Sequence, residues 1–198
     1  LTYNVAGLPE GISSSNPEVN IPQISPLLNG YDLVLVQEDF WYYNELRADV
    51  EHPHVTPAPT EPPPLSDMGD GLNRFSQSAF EGHERVPWGD CNGQFDCSSD
   101  CLATKGFSVA RHTLAPGVVV DVYNLHNEAG GCDRDHEIRL ASAKMIAAEV
   151  ASRSKDVAVI VAWDFNLHTD DEEDQPALQQ YADAGLRDGC QSVSCDKP

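Results

Sequence analysis

Residues 157–166 read Val157-Ala158-Val159-Ile160-Val161-Ala162-Trp163-Asp164-Phe165-Asn166. The first six residues form a continuous apolar run rich in β-branched side chains, which predicts a strand covered on both faces. Asp164 and Asn166 follow the run two positions apart, so on an extended segment their side chains point the same way. A carboxylate and an amide in this arrangement can orient a nucleophilic water and hold a phosphoryl oxygen or a metal ion.

Three other apolar runs end in the same manner. The polar residues that close them are, in chain order, Asn4, Gln37-Glu38 and His126. Layered α/β folds place their chemistry where strand ends meet at one edge of a sheet. Glu38 is the predicted metal anchor, because hard cations such as Mg²⁺ take oxygen ligands from one or two protein carboxylates. His126 can donate a hydrogen bond to a phosphate as charge builds in the transition state.

The remaining patterns complete the expectation of a layered α/β protein. The predicted elements are strands at 32–37, 76–80, 106–111, 118–125 and 157–162, and helices at 22–28, 135–150 and 176–184. Residues 52–64 contain six prolines, which predicts a surface loop. The length of 198 residues is that of one domain, or of most of a larger one.

The charge balance is strongly acidic, with 32 Asp and Glu against 12 Lys and Arg. Stable binding to nucleic acid is not expected, because it depends on Lys and Arg displacing counterions from phosphates. A nuclease stays open, since a divalent metal can supply positive charge locally. No apolar stretch approaches the roughly 20 residues that span a bilayer, and the chain starts without a signal-type segment. We therefore expect a trimmed or partial chain.

Six cysteines lie at Cys91, Cys97, Cys101, Cys132, Cys190 and Cys195. Their spacings are looser than the tight pairs of a zinc site, which favours disulfides in a secreted, extracellular protein. Cys132 is expected to reach the 91–101 cluster, and Cys190 can close a short loop with Cys195. Six cysteines allow 15 connectivities, so the full pairing stays open.

Four ordered motifs carry a family resemblance from residue 2 to about residue 170. They are Thr2-Tyr3-Asn4-Val5 followed by Gly7, Val36-Gln37-Glu38, Tyr123-Asn124-Leu125-His126, and Val159 to Leu167. In order and spacing they resemble the motifs of the endonuclease/exonuclease/phosphatase superfamily. The segments 70–76 and Lys105-Gly106-Phe107 also look like its intervening elements, and the second is similar to a Lys-Gly segment of secreted sphingomyelinases.

The resemblance implies an α/β fold of the DNase I-like type, a four-layer sandwich of two packed mixed sheets flanked by helices. It implies that Glu38 binds Mg²⁺, with Mn²⁺ or Ca²⁺ as alternatives, and that Asn4 assists in the metal or phosphate shell. His126, Asp164 and Asn166 would be the catalytic residues, with Asn4, His126 and Asn166 also contacting the phosphate. The implied activity is a secreted, monomeric phosphodiesterase acting on a phospholipid head group, a nucleic acid or a small phosphoester.

Two departures from the family pattern bear on activity. Trp163 stands where the family has Gly before its Asp, and the family's C-terminal Asp-His pair, whose His is the general base, is absent after Asn166. We therefore expect a single domain over 1–198 that is truncated at its C-terminus and lacks its last strands. The alternative is an inactive relative that acts as a binding domain. A weaker alternative is a structural metal protein that uses the acidic run 170–174.

The aromatic run Phe40-Trp41-Tyr42-Tyr43 directly follows Glu38 and Asp39. It could form a wall beside the metal or make transient contact with a membrane surface. Packing in the core is the more common role for aromatic side chains.

Overall fold

A computed structural model describes residues 1–12, 14–57, 68–93 and 97–189 of the chain. Two four-stranded sheets form its centre, one with strand order β1-β2-β4-β3 and the other with order β5-β6-β7-β8. The strands are β1 (Thr2–Asn4), β2 (Leu33–Gln37), β3 (His54–Val55), β4 (Asn73–Ser76), β5 (Phe80–Pro87), β6 (Gly106–Ala115), β7 (Val118–His126) and β8 (Ala158–Asp164). The α-helices are α1 (Pro17–Ile24), α2 (Tyr43–Arg47), α3 (Asp133–Arg153) and α4 (Gln175–Asp183), and 3-10 helices cover Ser25–Gly30 and Cys97–Leu102.

Each sheet contains one parallel strand pair, and these two pairs carry the sequence motifs. β1 runs parallel to β2 in the first sheet, and β7 runs parallel to β8 in the second. The other strand pairs are antiparallel. Parallel neighbours end at the same edge of a sheet, so the polar residues that end or follow these four strands are brought together.

Apolar cores cover the outer face of each sheet. On the first sheet, Ile21 of α1 and Leu46 of α2 pack with Val34, Val36 and other buried residues. On the second sheet, buried side chains of α3 and α4 pack against β6 and β7, including Ile146, Tyr181, Phe107 and Tyr123. The result is helices, sheet, sheet and helices, which confirms the predicted four-layer sandwich.

The space between the two sheets is much more polar than the two outer cores. Leu35, Val120 and Val122 form only a small apolar cluster there. Arg74 is fully buried and donates to the backbone oxygens of Ser108, at 3.3 Å, and of Val122, at 3.2 Å. Because a buried polar group without a partner is costly, these hydrogen bonds favour one alignment of the two sheets.

Gln37 and Asn124 continue this polar layer toward the strand ends. Gln37 Nε2 donates to Asn124 Oδ1 at 2.6 Å, and Asn124 Nδ2 donates to the backbone oxygens of Val36, at 3.0 Å, and Asn73, at 3.1 Å. Gln37 directly precedes Glu38, and Asn124 lies two residues before His126. Their hydrogen bonds therefore join β2 and β7 where the polar motifs begin.

Most predicted elements are confirmed within a few residues, with one clear error. The predicted strand at 76–80 is wrong, because β4 ends at Ser76 and β5 begins at Phe80, with a turn between them. Ser76 Oγ accepts from the Ser78 backbone N–H at 3.1 Å, a local bond that favours a turn over a continuous strand. The predicted helix at 22–28 is the end of α1 followed by a 3-10 helix.

Two disulfides join the loop around residues 91–101 to itself and to the start of α3. They are Cys91–Cys101 and Cys97–Cys132, which confirms that Cys132 reaches this cluster. The suggested pair of Cys190 and Cys195, and most of the Pro-rich segment, lie outside the described residues. Of the helices that are described, none is long and apolar enough to cross a membrane.

Candidate active site

Four polar residues meet where the two parallel strand pairs end. In the first sheet Asn4 is in register with Gln37, the residue before Glu38, and in the second His126 is in register with Asp164. β1 lies beside β8, so the two pairs face each other across the sandwich. The structure thus brings together Asn4, Glu38, His126 and Asp164, residues that are up to 160 positions apart in the chain.

The Asn4 side chain links the carboxylates of Glu38 and Asp164. Its Nδ2 donates to Glu38 Oε1 and to Asp164 Oδ2, both at 2.8 Å, and its Oδ1 accepts from the Ala6 backbone N–H at 2.9 Å. An amide nitrogen cannot ligate a cation, so Asn4 in this orientation positions the carboxylates. A direct ligand role would require the amide to turn over and give up its bond to Ala6.

The backbone at Glu38 is unusual and depends on two glycines. Glu38 has φ +59°, a left-handed conformation that costs a non-glycine residue on the order of 1–3 kcal/mol. The Gly7 N–H donates to the Glu38 carbonyl at 2.9 Å, and a Cβ on Gly7 would lie 2.6 Å from that oxygen. A Cβ on Gly71 would lie 3.1 Å from the Glu38 Cα. The two glycines allow the close packing that turns the Glu38 carboxylate toward Asn4.

Burial sets the charge state of the site. Desolvation raises the pKa of Glu38, opposed by the Asn4 hydrogen bond and by the Lys105 charge. Desolvation, with the Lys105 charge adding to it, holds the pKa of His126 well below its usual range, so this imidazole is neutral at pH 7. His126 Nε2 lies 3.7 Å from Glu38 Oε1 and 3.9 Å from Asp164 Oδ2.

The second ring nitrogen of His126 indicates its tautomer. His126 Nδ1 is buried with no hydrogen-bond partner among the described residues. Nε2 faces the carboxylate oxygens of Glu38 and Asp164, which are acceptors when ionised, so we assign the proton to Nε2. The His126 backbone oxygen accepts from Trp88 Nε1 at 2.8 Å, which fixes the end of β7.

The chemistry of this donor set suits a hard divalent cation. Glu38 and Asp164 present carboxylate oxygens on either side of one amide, and both side chains are partly exposed, 20% and 29% respectively. Glu38 is largely removed from water, and no cationic side chain among the described residues contacts its carboxylate. A bound cation would supply the missing positive charge. Glu38 and Asp164 are therefore the residues that could hold Mg²⁺.

Asn166 lies beside these site residues and contacts the loop after β7. Its Nδ2 donates to the Asn127 backbone oxygen at 3.0 Å, and the Asn127 N–H donates to the Asp164 backbone oxygen at 2.9 Å. Asn166 has φ +50°, a conformation that Asn adopts more readily than most residues. A cleft of about 420 Å³ opens here, lined by residues that include Asn4, Asp164, Asn166 and His168.

Sequence reasoning assigned no role to Lys105 or Asp39. Lys105 Nζ donates to the Asn127 backbone oxygen at 2.9 Å and pairs with Asp100, so it supports the loop next to the site. Asp39 is buried, accepts from Asn73 Nδ2 at 2.6 Å, and burial raises its pKa to about 7. Lys105 belongs to a motif with a family resemblance, whereas Asp39 gives no sequence signal beyond its position next to Glu38.

Trp163 and the aromatic run at 40–43 are the two further sequence features beside the site. Trp163 is paired with Leu125 through the backbone of β8, and its side chain lies outside what the structure describes. In the aromatic run, Phe40, Tyr42 and Tyr43 are buried, and only Trp41 is exposed. The run is mostly core material, with one ring available to solvent.

Sequence comparison identifies sphingomyelinases as relatives. The chain is 38% identical, over 95% of its length, to proteins named sphingomyelinase from Mycobacterium tuberculosis and Mycobacterium bovis. The chain spans 37% of the length of these relatives. No protein-family model matches the chain.

Solved structures share the fold at lower identity. A β-hairpin deletion mutant of beta toxin from Staphylococcus aureus matches with a TM-score of 0.70 and 20% identity, covering 90% of this chain and 70% of that one. Sphingomyelinase C from Streptomyces griseocarneus gives a TM-score of 0.70 at 20% identity, with 90% and 68% covered. TDP2 from D. rerio bound to a single-strand DNA product gives 0.60 at 16% identity, with 93% and 63% covered.

The ordered motifs, the two-sheet sandwich and these relatives agree with one another. Whether the domain is truncated after residue 198, and which role each site residue has, stay predictions. The chain has the DNase I-like fold and is similar to proteins named sphingomyelinase, and its ordered motifs resemble those of the endonuclease/exonuclease/phosphatase superfamily.

Proposed function

We propose that the chain carries the metal-binding and phosphate-binding part of a Mg²⁺-dependent phosphodiesterase site. The observation that supports this most directly is the Asn4 amide, which holds Glu38 and Asp164 together with His126 less than 4 Å away. A phosphodiester with a sphingomyelin-type head group is the proposed substrate, because the relatives at 38% identity are named sphingomyelinases.

Each residue has a distinct proposed role. Glu38 anchors the cation, and Asn4 keeps its carboxylate beside that of Asp164. Asp164 orients the attacking water and accepts a hydrogen bond from it, while Asn166 presents its amide to the phosphate. A bound Mg²⁺ would neutralise charge on the phosphate oxygens, and a beta toxin mutant from Staphylococcus aureus has been solved with bound magnesium ions.

His126 stabilises the phosphate through Nε2. A neutral imidazole with its proton on Nε2 donates one hydrogen bond without adding a full charge next to the cation. The low pKa of His126 keeps it in that form across the neutral pH range. The residue therefore acts as a hydrogen-bond donor, and the general base for water has to come from another group.

The surroundings of the site set the proposed context of the reaction. Two disulfides favour an oxidising, extracellular compartment. The net charge of −20 disfavours long nucleic acid as a stable partner. The exposed Trp41, three residues after Glu38, is available for a transient contact with a lipid surface. We propose that the protein acts as a monomer.

The test measures Mg²⁺ binding by calorimetry and hydrolysis of sphingomyelin vesicles, bis(p-nitrophenyl) phosphate and a DNA oligonucleotide. We expect hydrolysis of a phosphodiester that requires Mg²⁺, and at least a 10³-fold loss in Glu38→Gln. Glu51→Gln, which removes the same charge from an exposed position, is the matched control.

The outcomes separate the proposal from its alternative. Mg²⁺ binding that depends on Glu38, without hydrolysis of any substrate, would support the inactive relative that acts as a binding domain. Mg²⁺ binding that is equal in Glu38→Gln and Glu51→Gln would overturn the proposed site.

A further inference from the structure

A second group of carboxylates lies outside the candidate active site. Asp100, Glu128 and Asp135 each offer an oxygen, and these oxygens all lie within 4.8 Å of one another. Asp100 lies on the 3-10 helix Cys97–Leu102, Glu128 in the loop after β7, and Asp135 in the first turn of α3. All three residues are buried, with Glu128 and Asp135 at 0% exposure.

Asp100 and Asp135 each have a hydrogen-bond or ion-pair partner on both carboxyl oxygens. Asp100 pairs with Lys105 through Oδ1 and accepts from the Ala129 N–H at 2.8 Å through Oδ2. Asp135 accepts from Asn92 Nδ2 at 2.7 Å and from the Cys132 N–H at 2.8 Å. Each oxygen keeps a further lone pair that can face a cation.

Glu128 differs from the other two in having an oxygen without a partner. Its Oε1 accepts from the Asn92 backbone N–H, but Oε2 is buried and has no hydrogen-bond partner among the described residues. Leaving a buried carboxylate oxygen unsatisfied is costly. Burial, with the charge of Asp100 adding to it, raises the pKa of Glu128 to about 7, opposed by the Asn92 hydrogen bond and by Lys105.

The charges in this cluster do not balance. Three carboxylates face one contacting ammonium group, that of Lys105. Arg139 also reaches the loop, but it donates to the Glu128 and Gly130 backbone oxygens and pairs with Asp174. The cluster therefore has an excess of buried negative charge that either a cation or a proton has to offset.

We propose that Asp100, Glu128 and Asp135 bind a divalent cation of the Ca²⁺ class. Ca²⁺ takes oxygen ligands at about 2.3–2.6 Å, so two oxygens on opposite sides of the ion are about 4.6–5.2 Å apart. Three oxygens that all lie within 4.8 Å of one another can therefore contact one such ion together. The carboxylates supply three ligands, and waters complete the shell.

The identity of the donors selects among cations. Zinc sites use thiolate or imidazole, whereas this cluster offers only oxygen and its neighbours Cys97, Cys101 and Cys132 are in disulfides. Mg²⁺ requires near-ideal octahedral geometry and retains its waters, which three convergent buried carboxylates on separate segments do not favour. Ca²⁺ tolerates irregular geometry and a high carboxylate count.

Through Glu128, the cation would tie the loop that follows His126 to Asp100 and Asp135. Glu128 is two residues beyond His126, and Asn127 between them bonds Asp164, Asn166 and Lys105 through its backbone. Holding Glu128 in place would fix the position of this loop. The proposed role is structural positioning, separate from cation binding at Glu38.

The test is a thermal unfolding titration with Ca²⁺ on the intact chain in the absence of Mg²⁺, paired with calorimetric stoichiometry. For the parent chain at 100 times its Kd, we expect an increase in Tm of about 5–10 °C. Glu128→Gln, close in size and neutral, should lose this increase, and so should Asp100→Asn as a second variant. Glu38→Gln should retain it.

Several outcomes would overturn the proposal. An equal Ca²⁺-induced increase in Glu128→Gln and in Glu51→Gln would place the binding elsewhere. The absence of any increase at millimolar Ca²⁺ would mean that Glu128 is satisfied by a proton only. An increase that is lost in Glu38→Gln and kept in Glu128→Gln would assign the calcium effect to the strand-end site, formed by Asn4, Glu38, His126 and Asp164.

Discussion

The strand-end site and the Asp100–Glu128–Asp135 cluster are both groups of carboxylates, but they are held very differently. In the strand-end site, Glu38 and Asp164 are 20% and 29% exposed and share one amide donor. In the cluster, Glu128 and Asp135 are fully buried beside two disulfides. The first arrangement can exchange water, cation and substrate. The second is closed, which is suited to stability.

The largest expected effect comes from Lys105→Met, which breaks the cluster's contacting ion pair. Asp100 is 6% exposed, so removal of the ammonium leaves a buried carboxylate without its counter-charge. We expect the free energy of unfolding to fall by about 3–5 kcal/mol. Urea denaturation measures the effect, with Lys155→Met, at an exposed position, as the control. An equal decrease in the free energy of unfolding in the two variants would mean that the pair of Lys105 and Asp100 is not shielded from water.

The next effect concerns the strand-end site alone. In His126→Gln we expect turnover of a phosphodiester to fall about 10²–10³-fold, because one preorganised donor to the phosphate is lost. Mg²⁺ affinity should be nearly unchanged, since His126 is not a proposed ligand. His54→Gln, on β3, is the control. A parallel loss of Mg²⁺ affinity would instead make His126 part of the metal shell.

Removal of the disulfides should lower the stability of the protein without changing Mg²⁺ binding at the strand-end site. Cys97–Cys132 closes a loop of 35 residues and Cys91–Cys101 one of 10. Replacing Cys97 and Cys132 by Ser should lower the free energy of unfolding by about 2–4 kcal/mol, and about 1 kcal/mol more than the same change at Cys91 and Cys101. Thermal unfolding measures both. Mg²⁺ binding at Glu38 should be unaffected, and its loss would show that the two regions depend on each other.

The smallest effect is a pH dependence in the polar layer between the sheets. Burial and the Arg74 charge lower the pKa of His112 to about 4, from 6.5 in the unfolded chain. Its contribution to stability is therefore present above pH 6.5 and is lost as pH falls from 6.5 to 4. We expect a loss of roughly 1–3 kcal/mol over this range.

Unfolding in urea at pH 7 and pH 5 tests this assignment. His112→Gln should lose less stability than the parent chain between these two pH values, because the titrating group has been removed. His168→Gln, at an exposed position, should keep the slope of the parent chain. Equal slopes in all three proteins would contradict a buried neutral His112.

The strand-end site could be predicted from the sequence because each of its residues lies at or just after the end of an apolar run. Once Val157 to Ala162 is read as a strand, Asp164 and Asn166 have a defined place. The parallel pairing of β7 with β8 and of β1 with β2 then brings four such ends together. The predicted assembly needed only strand positions and the residue types at their ends.

The Asp100–Glu128–Asp135 cluster could not be predicted in the same way. Its residues come from a 3-10 helix, a loop and a helix start, and no periodicity relates them. Their proximity depends on the Cys97–Cys132 disulfide and on how the loop after His126 turns. The left-handed backbone of Glu38 could not be predicted from the sequence either, since it results from close packing against Gly7 and Gly71.

A Mg²⁺ titration by calorimetry in the Glu128→Gln background isolates cation binding at Glu38 and Asp164, because it leaves the strand-end site as the remaining proposed cation site. We expect one Mg²⁺ to bind per chain in this variant. Binding should disappear when Glu38→Gln is added and persist when Glu51→Gln is added. Unchanged Mg²⁺ binding in the double variant with Glu38→Gln would show that Mg²⁺ does not bind at the strand-end site.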